Sequence, residues 1–135
     1  MACLDTTMLV DMAGRSPTLK KRALNKLNEL GNRGEIVVTT RFNLAELYVG
    51  IARSDNPGAE EKAVHSLLED FGVLEFDDRA ARLFGRLTAH LLDIGQPAGD
   101  MDVLIAATTM AARHSLITRN MAHFANIPEL AVESY

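Results

Sequence analysis

Three acidic residues are placed where their carboxylates could meet in the folded chain. Asp5 ends a short apolar run, Glu46 lies in a second apolar segment, and Asp102 lies at the start of a third. Carboxylate oxygens are the ligands that Mg²⁺ and Mn²⁺ prefer. A cation held by carboxylates alone keeps positions open for water and for phosphate oxygens, as in-line attack on a phosphodiester requires. The three side chains are therefore candidates for a metal-assisted hydrolytic site.

The elements around these acids predict that they share one edge of a sheet. Asp5 stands at the carboxyl end of a strand at Ala2–Leu4, and Glu46 lies early in the helix that leaves the second predicted strand. The helix that carries Asp102 feeds directly into a strand at 115–118, so its first turn must lie at the carboxyl edge of that strand. Ligand sites in parallel sheets form beyond the carboxyl ends of the strands. We therefore expect the acids to converge there.

Apolar spacing and turn residues predict alternating strands and helices along the whole chain. This alternation favours an α/β fold around a mainly parallel sheet, built as a single domain over residues 1–135. The predicted strands are 2–4, 35–39, 73–76, 115–118 and a weak edge strand at 131–133. The predicted helices are 18–30, 42–52, 60–71, 77–94 and 100–113, with one helical turn at 120–124.

Each acid also has a plainer explanation. Asp5 could begin an Asx-type turn, and Asp102 could complement the dipole of a helix that Asp100 caps. Glu46 could close a capping box with Asn43. Two apolar stripes on the Glu46 helix argue against this last explanation, because a carboxylate between covered faces needs a partner. The stripes consist of Leu44, Leu47, Tyr48 and Ile51, and of Phe42, Ala45 and Val49.

The overall composition is that of an ordinary globular protein. With 47% apolar and 24% charged residues, the 135-residue chain can bury one core. The net charge of −4 gives no global signature of a nucleic-acid binder. A local basic cluster predicts a solvated helix face or, alternatively, a strip that guides phosphates. The cluster consists of Lys20, Lys21, Arg22 and Lys26.

The start of the chain favours a cytoplasmic protein. It lacks the basic region of a signal peptide, and no segment approaches the roughly 20 apolar residues that span a bilayer. The single cysteine, Cys3, lies in an apolar run and is predicted to be a buried core residue in a reducing compartment. We expect no association with a membrane.

Other chemistry finds little support in the sequence. The four histidines have no metal-ligand spacing and are expected to be surface or packing residues, and the chain has no P-loop, no CxxC and no GxSxG elbow. The aromatic content of 5% suits a sugar cleft poorly. A phosphatase of the haloacid-dehalogenase type would have a second aspartate where Thr7 stands. A signalling receiver domain would have adjacent early acids and a lysine late in the sheet.

Three segments together resemble the PIN domain, and most closely the toxin ribonucleases of VapBC toxin–antitoxin pairs. They are LDTTMLVDM from Leu4, FNLAELYVGI from Phe42, and PAGDMDVLIAATTMAARHSLITRNMAHFANIPEL from Pro97. The order and spacing of the motifs agree over most of the chain. The resemblance implies a three-layer α/β/α sandwich around a mainly parallel sheet of about five strands.

The resemblance also implies the roles of individual residues. The first family aspartate is Asp5, with Thr6 as its hydroxyl neighbour, the helical glutamate is Glu46, and the acid before the LIAA stretch is Asp102. Many members carry a fourth acid after the Thr-Arg dipeptide, where this chain has Asn120. An amide can bind a metal or a water through its oxygen but brings no charge. The asparagine therefore weakens the case for a second metal ion, though not for the first.

The remaining implications concern neighbouring groups and partners. Thr118 would be a supporting hydroxyl, and Arg119, Arg41 and Arg113 are candidate phosphate contacts. The family implies Mg²⁺- or Mn²⁺-dependent cleavage of RNA, a homodimer, and a cognate antitoxin whose basic side chain enters the acidic pocket. The second apolar stripe fits a dimer or partner surface, although core burial would explain it equally well. The alternative function is a PIN-like module that binds RNA or protein without cutting.

Overall fold

A five-stranded, fully parallel sheet forms the centre of the molecule in the computed structural model, which describes residues 1–135. The strand order is β3-β2-β1-β4-β5, so β1 lies in the middle and pairs with both β2 and β4. The strands are β1 (Ala2–Leu4), β2 (Val37–Thr40), β3 (Gly72–Leu74), β4 (Ser115–Ile117) and β5 (Val132–Glu133).

Seven helices cover the two faces of the sheet. They are α1 (Thr6–Ala13), α2 (Pro17–Asn32), α3 (Arg41–Ala52), α4 (Pro57–Leu68), α5 (Asp78–Asp93), α6 (Asp100–Ala111) and α7 (Met121–Phe124). Successive residues of a strand point to opposite faces. Ala2 and Leu4 accordingly pack against α1 to α4, whereas Cys3 packs against α5, α6 and α7. The expected three-layer α/β/α sandwich is confirmed.

Local signals account for most of the helix ends. Ser16 accepts a hydrogen bond from the backbone of α2 and Asn56 does the same for α4, each followed by a proline at the first helical position. Asp77 caps α5, accepting from the Ala80 backbone N–H at 2.9 Å. None of the seven helices combines the length and the apolar character that crossing a bilayer requires.

Two sequence-based expectations about helices were wrong. Helix α1 was not predicted, although Met8, Leu9 and Met12 bury one side of it. Asp100 was expected to cap α6, but Gly99 takes the N-cap position in an extended conformation and Asp100 is the first helical residue. The expected first-turn position of Asp102 is unaffected, because α6 still begins at the carboxyl edge of β4.

The expected burial of the single cysteine is confirmed. Cys3 has no exposed surface and forms no disulfide. Burial raises the pKa of its thiol to about 12, so the thiol stays protonated and unreactive near neutral pH.

Candidate active site at the carboxyl edge of the sheet

A polar pocket of about 330 Å³ lies beyond the carboxyl ends of the central strands. All three predicted acids line it, although they come from β1, α3 and α6. The prediction that they converge at this edge is therefore met by the fold. The lining residues are Asp5, Thr6, Thr7, Val10, Glu46, Asp102, Arg119, Asn120, His123 and Phe124.

Asp5 is fixed at the bottom of the pocket by two side-chain donors. The residue is 5% exposed and follows β1 directly. The Asn43 amide donates to Asp5 Oδ1 at 3.1 Å, and the Thr118 hydroxyl donates to Asp5 Oδ2 at 2.7 Å. The Asp5 side chain makes no capping bond to α1, so the Asx-turn explanation for this residue is wrong. Each carboxylate oxygen thus has its own donor, one from the first turn of α3 and one from the turn after β4.

Glu46 is held by the hydroxyl of Thr6, which donates to Glu46 Oε1 at 2.6 Å. Thr6 itself accepts a hydrogen bond from the Asn43 amide at 2.9 Å, so one asparagine supports two of the acids. The capping-box explanation for Glu46 is wrong, because the box joins Thr40 and Asn43. Helix α3 begins at Arg41, one residue earlier than expected, and this shift makes Asn43 the capping partner.

Asp102 lies opposite, in the first turn of α6, beside a histidine that sequence reasoning did not assign to the site. Nδ1 of His123 is 3.3 Å from Asp102 Oδ2. His123 is a surface residue, as expected for the histidines, with its side chain 58% exposed, but it also lines the pocket. Its only signal in the sequence was its place in the TRNxxHF motif, which α7 folds back over the pocket.

Burial and mutual repulsion make two of these carboxylates reluctant to ionise. Burial raises the pKa of Glu46, and the charges of Asp5 and Asp102 raise it further, against the hydrogen bond from Thr6. Burial also raises the pKa of Asp102, where the attraction of His123 opposes it and Asp5 adds repulsion. Such a group of acids favours the approach of a positive charge.

The turn after β4 supplies the last predicted residues of the pocket. Thr118 is fully buried, and its oxygen also accepts the Asn120 backbone N–H at 3.0 Å. Asn120 lines the pocket at the position of the usual fourth acid. Arg119 lines it as well, but its guanidinium is paired with Asp11 through contacts of 2.8 and 3.1 Å.

Two other predicted phosphate contacts lie away from the pocket. Arg41 is paired with Glu75 on the surface and is not part of the lining, because α3 turns its first residue outward. Arg113 precedes β4 and therefore lies at the opposite, amino edge of the sheet. Neither position supports a role at the acidic site.

The basic cluster on α2 is only partly the solvated face that was expected. Lys26 is 8% exposed and forms an ion pair with Glu133 of β5 at 2.8 Å. Lys20 and Lys21 are exposed. One of the four basic residues, Lys26, therefore links α2 to the edge strand β5 through an ion pair.

The donor set of the pocket suits a hard divalent cation by its chemistry. It offers carboxylate oxygens whose repulsion a cation would relieve. No three acidic, histidine or cysteine side chains are arranged to hold a metal ion as they stand. Protein side chains contact each carboxylate instead. Thr118 and Asn43 donate to Asp5, Thr6 donates to Glu46, and His123 lies beside Asp102.

Comparisons with known proteins agree with this geometry. The PIN domain family model matches residues 2–130. Ribonuclease VapC2 of Haemophilus influenzae is 26% identical over 132 residues, which cover 98% of this chain and 96% of that protein. Ribonuclease VapC19 of Mycobacterium tuberculosis is 30% identical over 130 residues, or 96% of this chain and 97% of that protein.

A solved structure shows the same fold. It is VapBC2 from Rickettsia felis bound to a DNA fragment from its promoter, with a TM-score of 0.90 and 25% sequence identity over 99% of this chain and 98% of the matched chain. The likeness thus extends over nearly the full length of both chains. This chain belongs to the PIN domain family, in its VapC ribonuclease branch.

Proposed function

We propose that this chain is an endoribonuclease that hydrolyses RNA phosphodiester bonds in the acidic pocket, with Mg²⁺ or Mn²⁺ held by Asp5, Glu46 and Asp102. One observation carries the proposal. Carboxylates from three distant segments line a single pocket, where burial and mutual repulsion raise the pKa of two of them. A protein gains nothing from such repulsion unless a cation enters.

A divalent cation, when bound, supplies Lewis acidity and lowers the pKa of a coordinated water. The chain's own residues prepare the site. Thr118 and Asn43 fix the orientation of the Asp5 carboxylate, and Thr6 fixes that of Glu46. Asn120 offers an amide oxygen without charge, which favours one strongly held cation over two.

The second half of the proposal concerns partners. We propose that an antitoxin protein inserts a basic side chain into the acidic pocket and blocks it, since a buried carboxylate group is an obvious docking point for a guanidinium. A homodimer is proposed from the second apolar stripe of α3, of which Ala45 and Val49 are exposed. Val49 is 60% exposed, so core burial does not account for that residue. A cytoplasmic location stays a prediction.

The function is tested by measuring cleavage of diverse single-stranded RNAs with Mg²⁺, with Mn²⁺ and with EDTA. Asp5→Asn and Asp102→Asn should each lower the rate by more than about 100-fold, beyond what the loss of an outer partner causes. Asp78→Asn is the matched control, because that carboxylate is 82% exposed and lies outside the pocket. Undiminished cleavage by either pocket variant would overturn the assignment. Melting temperatures raised by Mg²⁺ without any cleavage would indicate the binding module instead.

A further inference from the structure

Arg119 is the only arginine or lysine that lines the acidic pocket. Its Nε donates to Asp11 Oδ2 at 2.8 Å and its Nη2 donates to Asp11 Oδ1 at 3.1 Å. The hydrogen bonds of the side chain thus use Nε and Nη2 but not Nη1, and the side chain is 35% exposed. One edge of the guanidinium is therefore paired with Asp11, while Nη1 is left without a hydrogen bond on a residue that lines the pocket.

Asp11, the partner of this arginine, is a buried carboxylate with a fixed position. The residue lies on α1 and is only 4% exposed, so its charge needs strong partners. Tyr135, which follows β5, donates its hydroxyl to Asp11 Oδ2 at 2.7 Å. Burial alone would raise the pKa of Asp11, but the hydrogen bonds from Arg119 and Tyr135 outweigh it and lower the pKa below its ordinary value. The carboxylate is thus charged and fixed.

The backbone of Arg119 is tied to the same structure that orients the acids. Its N–H donates to the Thr7 hydroxyl at 3.2 Å, and Thr7 lies 3.4 Å from the Thr118 hydroxyl that holds Asp5. The turn that carries Arg119 therefore also carries the hydroxyl that donates to the Asp5 carboxylate. Movement of either the side-chain or the backbone anchor would change the distance between this cation and the acids.

We propose that Asp11 and Tyr135 are positioning residues that aim the free Nη1 edge of Arg119 at a phosphate of RNA bound in the pocket. The inference rests on the proposed function and deepens it. Clustered carboxylates repel the phosphates of RNA, so a single cation beside them matters more than one on open surface. A guanidinium can pair with a carboxylate along one edge and with a phosphate along another, which a lysine cannot do.

The kinetic test uses a mixed-sequence single-stranded RNA that carries a fluorophore and a quencher. Arg119→Ala should raise KM about tenfold with kcat nearly unchanged, because one charge-assisted contact present in both the bound and the reacting state is lost. The slope of log KM against log salt should fall by about 0.7, the value for one phosphate contact on a single strand. Arg119→Lys should restore little of the loss.

The decisive measurement is a double-mutant cycle with Tyr135→Phe, which keeps the ring and removes only the hydroxyl. This variant should raise KM about threefold in the wild type and have no further effect when Arg119 is already alanine. If the Tyr135 hydroxyl only stabilised the fold, Tyr135→Phe would lower the melting temperature of both the wild type and Arg119→Ala and would leave KM unchanged. That result would overturn the inference. Tyr48→Phe is the matched control, because that hydroxyl contacts His65 on the surface.

A second readout separates this inference from the proposed function. The Kd of the same RNA is measured by fluorescence anisotropy, with Arg82→Ala as a control for an exposed arginine paired with an aspartate. No cleavage by the wild type would overturn the proposed function. Equal Kd values and equal salt slopes for the wild type and Arg119→Ala would overturn the role of Arg119, whether or not the RNA is cut.

Discussion

Replacing Thr118 by valine removes one hydroxyl at a fully buried position and nearly preserves the shape of the side chain. That hydroxyl donates to Asp5 Oδ2 at 2.7 Å and accepts the Asn120 backbone N–H at 3.0 Å. In the variant, a buried carboxylate oxygen loses a donor and a backbone N–H loses its acceptor. Both groups stay in place because the fold around them is unchanged.

The magnitude follows from these two losses. A hydrogen bond to a charged group contributes about 1.5–3 kcal/mol, and a buried group left without a partner costs about 1–3 kcal/mol. The added methyl group returns about 0.8 kcal/mol. We therefore expect Thr118→Val to lower the free energy of unfolding by about 3 kcal/mol, a large part of a total of about 5–15 kcal/mol.

Thr39→Val is the matched control for this measurement. Thr39 is also fully buried at the end of a central strand, but its hydroxyl donates to the neutral carbonyl of Leu4 at 2.8 Å. Its loss should lower the free energy of unfolding by about 1 kcal/mol. Both variants are compared with the wild type by urea unfolding near neutral pH in EDTA. Equal losses would refute the claim that Thr118 matters because its partner is a charged carboxylate.

Further predictions concern pH and the glycines. The raised pKa values of Glu46 and Asp102 mean that the folded state binds their protons more tightly than the unfolded chain does, so their ionisation costs stability as pH rises through those values. The double variant Glu46→Gln/Asp102→Asn should therefore gain stability relative to the wild type as the pH rises above about 4, as measured by urea unfolding in EDTA at a series of pH values. A difference in stability that does not change with pH would contradict this prediction. A Cβ at Gly14 would lie 2.7 Å from the Val10 carbonyl oxygen, so Gly14→Ala should cost about 1–3 kcal/mol in thermal unfolding. Gly85→Ala, in open space within α5, should instead raise the free energy of unfolding by about 0.5–1 kcal/mol. Equal effects of the two substitutions would show that the structure relieves the clash at Gly14.

The convergence of the acids could be predicted because it depends on topology rather than on packing. Asp5 follows a strand, and the helix that carries Asp102 must begin at the carboxyl edge of the strand into which it leads. These relations hold for any parallel α/β sheet. The metal ion and the antitoxin are proposed from the chemistry of the pocket, and the dimer from the exposed stripe of α3, rather than from topology.

The partners of the acids could not be predicted, because they depend on contacts between segments far apart in sequence. Asn43 supports Asp5 across 38 positions, and its role as a capping residue turns on where α3 begins. A capping box between Asn43 and Glu46 would require the helix to begin at Leu44, three residues after its actual start. His123 reaches Asp102 only because a single helical turn folds back over the pocket.

The pattern of charges in the sequence also gave a wrong prediction for one buried lysine. Lys26 belongs to a run of cations that any sequence pattern assigns to solvent, yet it is buried against Glu133. Helix α1 was missed for a related reason. Its eight residues begin with two threonines, which have low helix propensity, and tertiary packing of Met8 and Leu9 against the sheet overrides that preference.

The central position of β1 has a consequence for how the protein is made. This strand is hydrogen bonded to β2 on one side and to β4 on the other, although β4 is synthesised more than a hundred residues later. A growing chain that ends between Asp102 and Ser115 already contains every acid of the pocket, but it lacks β4 and the Thr118 hydroxyl that donates to Asp5. We therefore expect translation products that stop before β4 to lack an ordered pocket, so the pocket assembles only when almost the whole chain has been made.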